Sequence, residues 1–347
     1  AFGDDSWRVR KEAIGIFLAL SIHREMVGDI IELLHAEENA GLRNAAVEIL
    51  VKMGRDAIPM LLERANCPDH DVRKFIVDIL GEIGDPQAVP FLINALGDED
   101  NNVLASAAEN LGKLKAAEAV PVLLDAMQNP DVLLRFTILE ALGKIDQPVP
   151  LARLAPFRDE KLLRKALIDC LGKVGDPSAI PEVVTALSDP MRNVRKEALL
   201  AVVNLARRYP EQVRDSLIKH DLSSTVDAVA QFLDDSQPHE VRVAALRALG
   251  WMGAGSVVEQ MLDFLDQETL QQDALIALAD IGASRPDVLI ETWSAISVSR
   301  KPYLAYVLGE ARCREALPLL REALGDEDPQ LRQMVVYALG QLGCVEA

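Results

Sequence analysis

From His70 the apolar residues fall at Val72, Ile76, Ile79, Leu80 and Ile83, with charged residues between them. Spacings of three and four residues put them on one face of an α-helix. Gly84 ends that helix, because glycine tolerates the left-handed conformation a helix C-terminus often needs. Asp85 then offers an acceptor to the free amides of a second helix, and Pro86 suits that helix's first turn. The second stripe is shorter (Val89, Leu92, Ile93, Leu96), and an acidic turn, Asp98 to Asp100, leads into the next apolar stripe. Neither apolar face can be buried within a single pair of helices, so neighbouring pairs must stack.

The pattern recurs. GDPQAVPFLINALGDED from Gly84 returns as GDPSAIPEVVTALSD from Gly175. HDVRKFIVDILGEIGDPQAVPFLINAL from His70, EKLLRKALIDCLGKVGDPSAIPEVVTAL from Glu160 and HEVRVAALRALGWMGAGSVVEQMLDFL from His239 follow one plan. A Leu-Gly pair marks the first helix at Leu80-Gly81, Leu111-Gly112, Leu142-Gly143, Leu171-Gly172, Leu249-Gly250, Leu308-Gly309 and Leu339-Gly340. The period of about 30 residues is that of a solenoid. Two copies depart from it. The unit at 189–233 is longer than its neighbours and lacks the Gly-Asp turn, which predicts either a longer helical pair or an insertion. IDQPVPLARLAPF from Ile145 crowds three prolines into a second half, which predicts a shortened helix.

The chain resembles HEAT repeats, in particular the bacterial and archaeal kind known as PBS-lyase HEAT-like repeats. The resemblance is carried by the Val-Arg dipeptides (Val72-Arg73, Val194-Arg195, Val241-Arg242), the Leu-Gly pairs, and the prolines early in second helices (Pro59, Pro90, Pro121, Pro181, Pro318). It implies an all-α fold: a right-handed α-α superhelix of about ten two-helix repeats, running 1–347 as a single continuous solenoid. It also implies second helices on the concave surface and first helices on the convex one. AFGDDSWRVR at the start matches ALGDEDPQLR from Ala323, and LGCVEA at the end stops where other copies continue, so a fragment of a longer chain is expected.

Composition narrows the function. The chain is 50% hydrophobic but only 4% aromatic, as suits close helical layers built from Ala, Leu, Val and Ile. A net charge of -18 repels phosphate backbones and anionic lipids, so no nucleic-acid and no membrane partner is expected, while a basic protein partner is allowed. Cys67, Cys170, Cys313 and Cys344 are far apart and form no CxxC pair, which favours a reducing, cytoplasmic setting. There is no GxxxxGK[ST], HExxH or GxSxG motif.

Single features that suggest chemistry have structural readings. His239-Glu240 resembles one of the His-Glu pairs that hold a di-iron centre in a HEAT-repeat hydroxylase. The site needs several such pairs, however, and His23, His35, His70 and His220 have no adjacent Glu. The GDED runs at Gly97 and Gly325 sit at helix starts and lack a calcium-loop pattern. The recurring arginines (Arg10, Arg43, Arg73, Arg135, Arg164, Arg195, Arg242, Arg332) predict a ladder of hydrogen bonds to the acidic turns of neighbouring units. No catalytic, metal or cofactor set is expected.

The scarce aromatics cluster late in the chain: Trp251, Phe264, Trp293, Tyr303 and Tyr306 are the candidate partner-binding residues, since Trp and Tyr anchor interfaces. The functional expectation is a non-catalytic scaffold or adaptor holding a protein or peptide on the concave face. The resemblance also admits a bilin-lyase-like chromophore-binding protein, although no residue set specifying bilin is present. A regulatory segment of a larger signalling protein or enzyme is the other alternative.

Overall fold

The computed structural model describes residues 1–20, 25–219 and 222–343, and its regular structure is helical, with twenty-two α-helices and short 3-10 turns among those residues. The chain divides into two compact units, Ala1–Cys170 and Leu171–Ala347, and the division falls inside the helix Arg164–Val174.

In the first unit the first helices are Trp7–Ala19, Ala40–Met53, His70–Ile83, Asn101–Lys113 and Val132–Ile145. Between them run short second helices, Val27–Glu32, Ile58–Arg64, Val89–Ala95, Val120–Ala126 and Leu151–Leu154. The last has four residues followed by the 3-10 turn Ala155–Phe157, which is the shortening its prolines predict. In the second unit Ile180–Thr185, Val258–Asp263, Pro286–Ala295 and Leu317–Ala323 alternate with the first helices Arg192–Arg208, His239–Trp251, Gln271–Ser284, Lys301–Glu310 and Pro329–Gln341. The long copy at 189–233 proves to hold three helices: Arg192–Arg208 is followed by Pro210–Lys219 and Leu222–Ala230.

The clearest copies begin as their sequence dictates. Asp69 accepts hydrogen bonds from the amides of Asp71 and Val72, and Asp100, Asp131 and Asp328 cap their helices the same way. Gly84 adopts φ +73°, the left-handed region, and ends the His70 helix. Asp85 caps Gln87, so the second helix starts as the 3-10 turn Pro86–Ala88 before Val89–Ala95. Val72, Ile76, Ile79 and Leu80 are buried, as is Leu92 of the second helix, so first and second helices both contribute to the core.

The Leu-Gly pair has a steric reason. The leucine enters the core and the glycine lets the next first helix pass against the backbone. A Cβ on Gly112 would lie 2.8 Å from Ala141 Cα, one on Gly250 2.8 Å from Ala277 Cα, and one on Gly309 2.7 Å from Ala338 Cα. Gly81 faces Asn110, which is buried and donates to the Val77 carbonyl at 3.4 Å.

The arginine ladder differs from its expectation. Most of these arginines bind the backbone of the turn before their own helix: Arg10 the carbonyls of Asp4 and Asp5, Arg43 those of Ala36 and Glu37, Arg195 those of Asp189 and Pro190, Arg332 those of Asp326 and Glu327. Those carbonyls lack helical partners, and a guanidinium can reach two at once. Some arginines also reach the next unit's turn: Arg73 takes Asp98 with Nε and Nη2 at 2.8 Å each, and Arg135 takes Glu160 at 2.5 Å. In the long copy Arg195 Nε is buried with no hydrogen-bond partner.

Candidate partner-binding surface

The five sequence candidates all lie in the second unit, and the structure sorts them by burial. Phe264, at the end of the Val258 helix, is 6% exposed, with the Arg242 guanidinium 5.3 Å from its ring centre. Arg242 in turn donates to the Leu233 carbonyl and Gln267 and pairs with Asp235 at 2.6 Å. Trp293 is 8% exposed, with Lys301 Nζ 5.5 Å from its ring. Both rings are packing residues, covered on one side by a cation. Trp251 ends the His239 helix half-buried, and its indole donates to Asp280. Burial raises the Asp280 carboxyl above the usual range, against the pull of Arg214, whose Nη2 stands at 2.9 Å.

Tyr303 is half-buried and tied into an ionic cluster. Its hydroxyl donates to Asp266 at 2.7 Å, and Arg300 binds Asp266 at 2.6 Å and Asp263 at 2.7 Å. The Tyr303 hydrogen bond, with Arg300, holds the Asp266 carboxyl below the ordinary range.

Tyr306 differs from the other four. Its ring stacks on Tyr337 of the next first helix, with centroids 5.1 Å apart and planes 15° apart. The Tyr337 hydroxyl donates to Glu310 at 2.6 Å, and that hydrogen bond pushes its phenol up to about 12. Tyr337 is 37% exposed and its neighbour Val336 60% exposed. No ring contact joins any two of the five candidates among the described residues. The open aromatic surface is therefore Tyr306 with Tyr337, edged by Glu310 and Val336. Tyr337 was not among the candidates, although the signal was present: YVLG from Tyr306 and YALG from Tyr337 place a tyrosine identically in consecutive units.

This patch stands on first helices, the side assigned by resemblance to the convex surface. On second helices the second unit has a recess of about 460 Å³, floored by Ile180, Pro181 and Val184 and walled by Gln212, Asp215 and Lys219.

The other sequence features settle into structural roles. Asp98 of the GDED run at Gly97 is held by Arg73, and Asp100 caps its helix; in the run at Gly325, Asp326 receives the Asp328 amide. His239 and Glu240 are both exposed at a helix start. Among the described residues no three His, Cys, Asp or Glu side chains are grouped to hold a metal ion, and no helix is long and apolar enough to cross a membrane. Burial pushes the Cys67 and Cys313 thiols up. His23, His220 and Cys344 lie outside the described residues.

Stacked two-helix repeats with a glycine at several first-helix crossings define an α-solenoid class of protein. The family model for HEAT repeats matches residues 58–131, 105–161, 158–221 and 302–347, more than half of the sequence, and that for the PBS lyase HEAT-like repeat matches 241–267. The chain belongs to the HEAT-repeat family. No curated protein matches it. Among solved structures it is similar to the complex of CpcE and CpcF of phycocyanin lyase from Nostoc sp., at 21% identity over 73% of this chain and 92% of that one, with a TM-score of 0.41. Importin beta is similar at 15% identity over 97% of this chain and 57% of that one, with a TM-score of 0.46. Kap121p bound to Ste12p is similar at 15% identity over 98% of this chain and 44% of that one, with a TM-score of 0.56, a likeness of fold.

Proposed function

We propose that the protein is a non-catalytic protein–protein interaction scaffold, cytoplasmic, and that one partner contact is made at Tyr306 and Tyr337. The observation that carries this reading is the stacked, partly open tyrosine pair with Glu310 at its edge and Val336 beside it. Packing explains Phe264 and Trp293 but asks nothing of exposed rings on a first-helix face. Two tyrosine faces beside a carboxylate suit a lysine or arginine of a basic partner segment, by cation–π attraction and charge. The chain's net charge of -18 would speed the approach of such a segment.

A second reading places a peptide on the second-helix side, supported by the recess at Ile180, Pro181 and Val184. Capture from lysate with the parent chain, Tyr306→Ser/Tyr337→Ser and Asp215→Arg, an exposed wall residue of the recess, separates the two. Under the first reading the tyrosine variant loses the retained partner, with roughly tenfold or more weakening once that partner is purified. Loss confined to Asp215→Arg would transfer the contact to the recess. Retention by both variants would remove both surfaces from the account.

A further inference from the structure

Nine residues before the leucine of each Leu-Gly pair, the repeat exposes one side chain at the start of its first helix. Before Leu80, Leu111, Leu249, Leu308 and Leu339 it is Asp71, Asn102, Glu240, Ser299 and Gln330, all exposed. Before Leu142 and Leu171 it is Leu133 and Leu162, and each is 78% exposed. The fold makes no apolar demand at this position, since five repeats fill it with polar groups.

The two leucines hold the same register position in consecutive repeats, and an ion pair ties the turns beside them. Arg135, two residues beyond Leu133, binds Glu160, two residues before Leu162, at 2.5 Å. Phe136, 40% exposed, lies on the same helix as Leu133. Single exposed leucines are ordinary, but these three side chains together expose on the order of a few hundred Å², the size at which apolar patches mark binding sites. All three belong to the unit Ala1–Cys170.

The rim has the opposite charge to the chain. From Leu151 to Lys165 the basic residues are Arg153, Arg158, Lys161, Arg164 and Lys165, against Asp159 and Glu160, in a protein of net charge -18; Arg153 is paired with Asp125 at 2.7 Å and Arg164 donates to the Arg158 carbonyl. Lys161 is exposed beside Leu162. Of the acidic groups nearby, Glu160 is bound by Arg135 and Asp131 caps Leu133 and Leu134, with Asp159 and Glu140 at the margins.

We propose that Leu133, Phe136 and Leu162 form a docking surface for an acidic amphipathic segment of a partner protein. Its apolar side chains would cover the two leucines and the phenylalanine, and its carboxylates would face Lys161. A basic segment would meet like charge there, so this surface and the tyrosine patch select partners of opposite sign. The two stand independently, because they share no residue.

The test is selection of phage-displayed random peptides on the intact chain, with binding of the selected peptides to parent and variants followed by fluorescence anisotropy. The control is Leu133→Gln/Leu162→Gln, a substitution that Gln330 already makes at this position in another repeat; circular dichroism confirms its fold. The expected result is a set of peptides rich in Asp, Glu, Leu and Phe. They should weaken roughly tenfold or more on the double variant and on Lys161→Glu, and again in high salt, where screening shortens to about 3 Å at 1 M. Neutral or basic peptides, peptides that bind the double variant equally, or no enrichment over it would each overturn the proposal. So would retention of phosphatidylserine vesicles in place of acidic peptides, which would make the patch a membrane contact.

Discussion

At the scale of single residues, the glycine after the leucine is set by packing and other helical glycines are not. A Cβ on Gly250 would lie 2.8 Å from Ala277 Cα, while one on the exposed Gly15, inside the Trp7–Ala19 helix, would meet nothing within 4 Å. Gly250→Ala should therefore destabilise by ~1–3 kcal/mol through overpacking against a backbone that cannot yield. Gly15→Ala should be neutral or stabilise by up to ~1 kcal/mol through helix propensity. Urea unfolding of both variants checks this, and equal effects would contradict the close-approach explanation. The glycines themselves were legible in the sequence. Their reason was not, because a single chain shows a period without showing which atoms meet. The same limit governs the aromatics: 4% aromatic content made Trp293 and Phe264 conspicuous, but only the packing shows that both are buried.

At the scale of helices and turns, caps and breakers read directly. Asp69, Gly84, Asp85 and the prolines of IDQPVPLARLAPF all do what their chemistry predicts. The arginines were misplaced by one turn, since a side chain long enough to reach either turn first satisfies the carbonyls nearest to it. Arg73 is a case that reaches both. The Arg73 guanidinium, which hydrogen-bonds it, holds the Asp98 carboxyl below the usual range, so the pair contributes stability above the unfolded carboxylate pKa of about 3.9 and loses it as pH falls through the lower folded value. Asp98→Asn should lower stability at pH 7 and flatten its fall in acid. An acid unfolding profile parallel to the parent's would refute that linkage. The long copy gave the least from sequence, because its apolar spacing does not say where Pro210–Lys219 ends and Leu222–Ala230 begins. Arg214 on the former reaches Asp280, 66 residues away, beside Trp251. Arg214→Ala should therefore speed hydrogen exchange in 210–219 more than in 192–208; unchanged exchange there would show that the ion pair does not hold the helix.

At the scale of the whole molecule, the HEAT-repeat family fixes the architecture of each unit, and on the scaffold reading proposed above the surfaces carry the specificity. Repeat proteins allow this because each position is sampled many times, so a surface residue that breaks the pattern stands out from those that packing imposes. Tyr306 with Tyr337 and Leu133 with Leu162 are two such pairs, each written at one place in consecutive units. The tyrosines were half legible and the leucines were not recognised, since apolar residues at helix starts pass for core until their exposure is known. The most direct test of the scaffold account is hydrogen exchange of the intact chain with and without the partner captured through the tyrosines. The account predicts protection concentrated in 301–310 and 329–341. Protection confined to the second helices, with those segments unchanged, would contradict it.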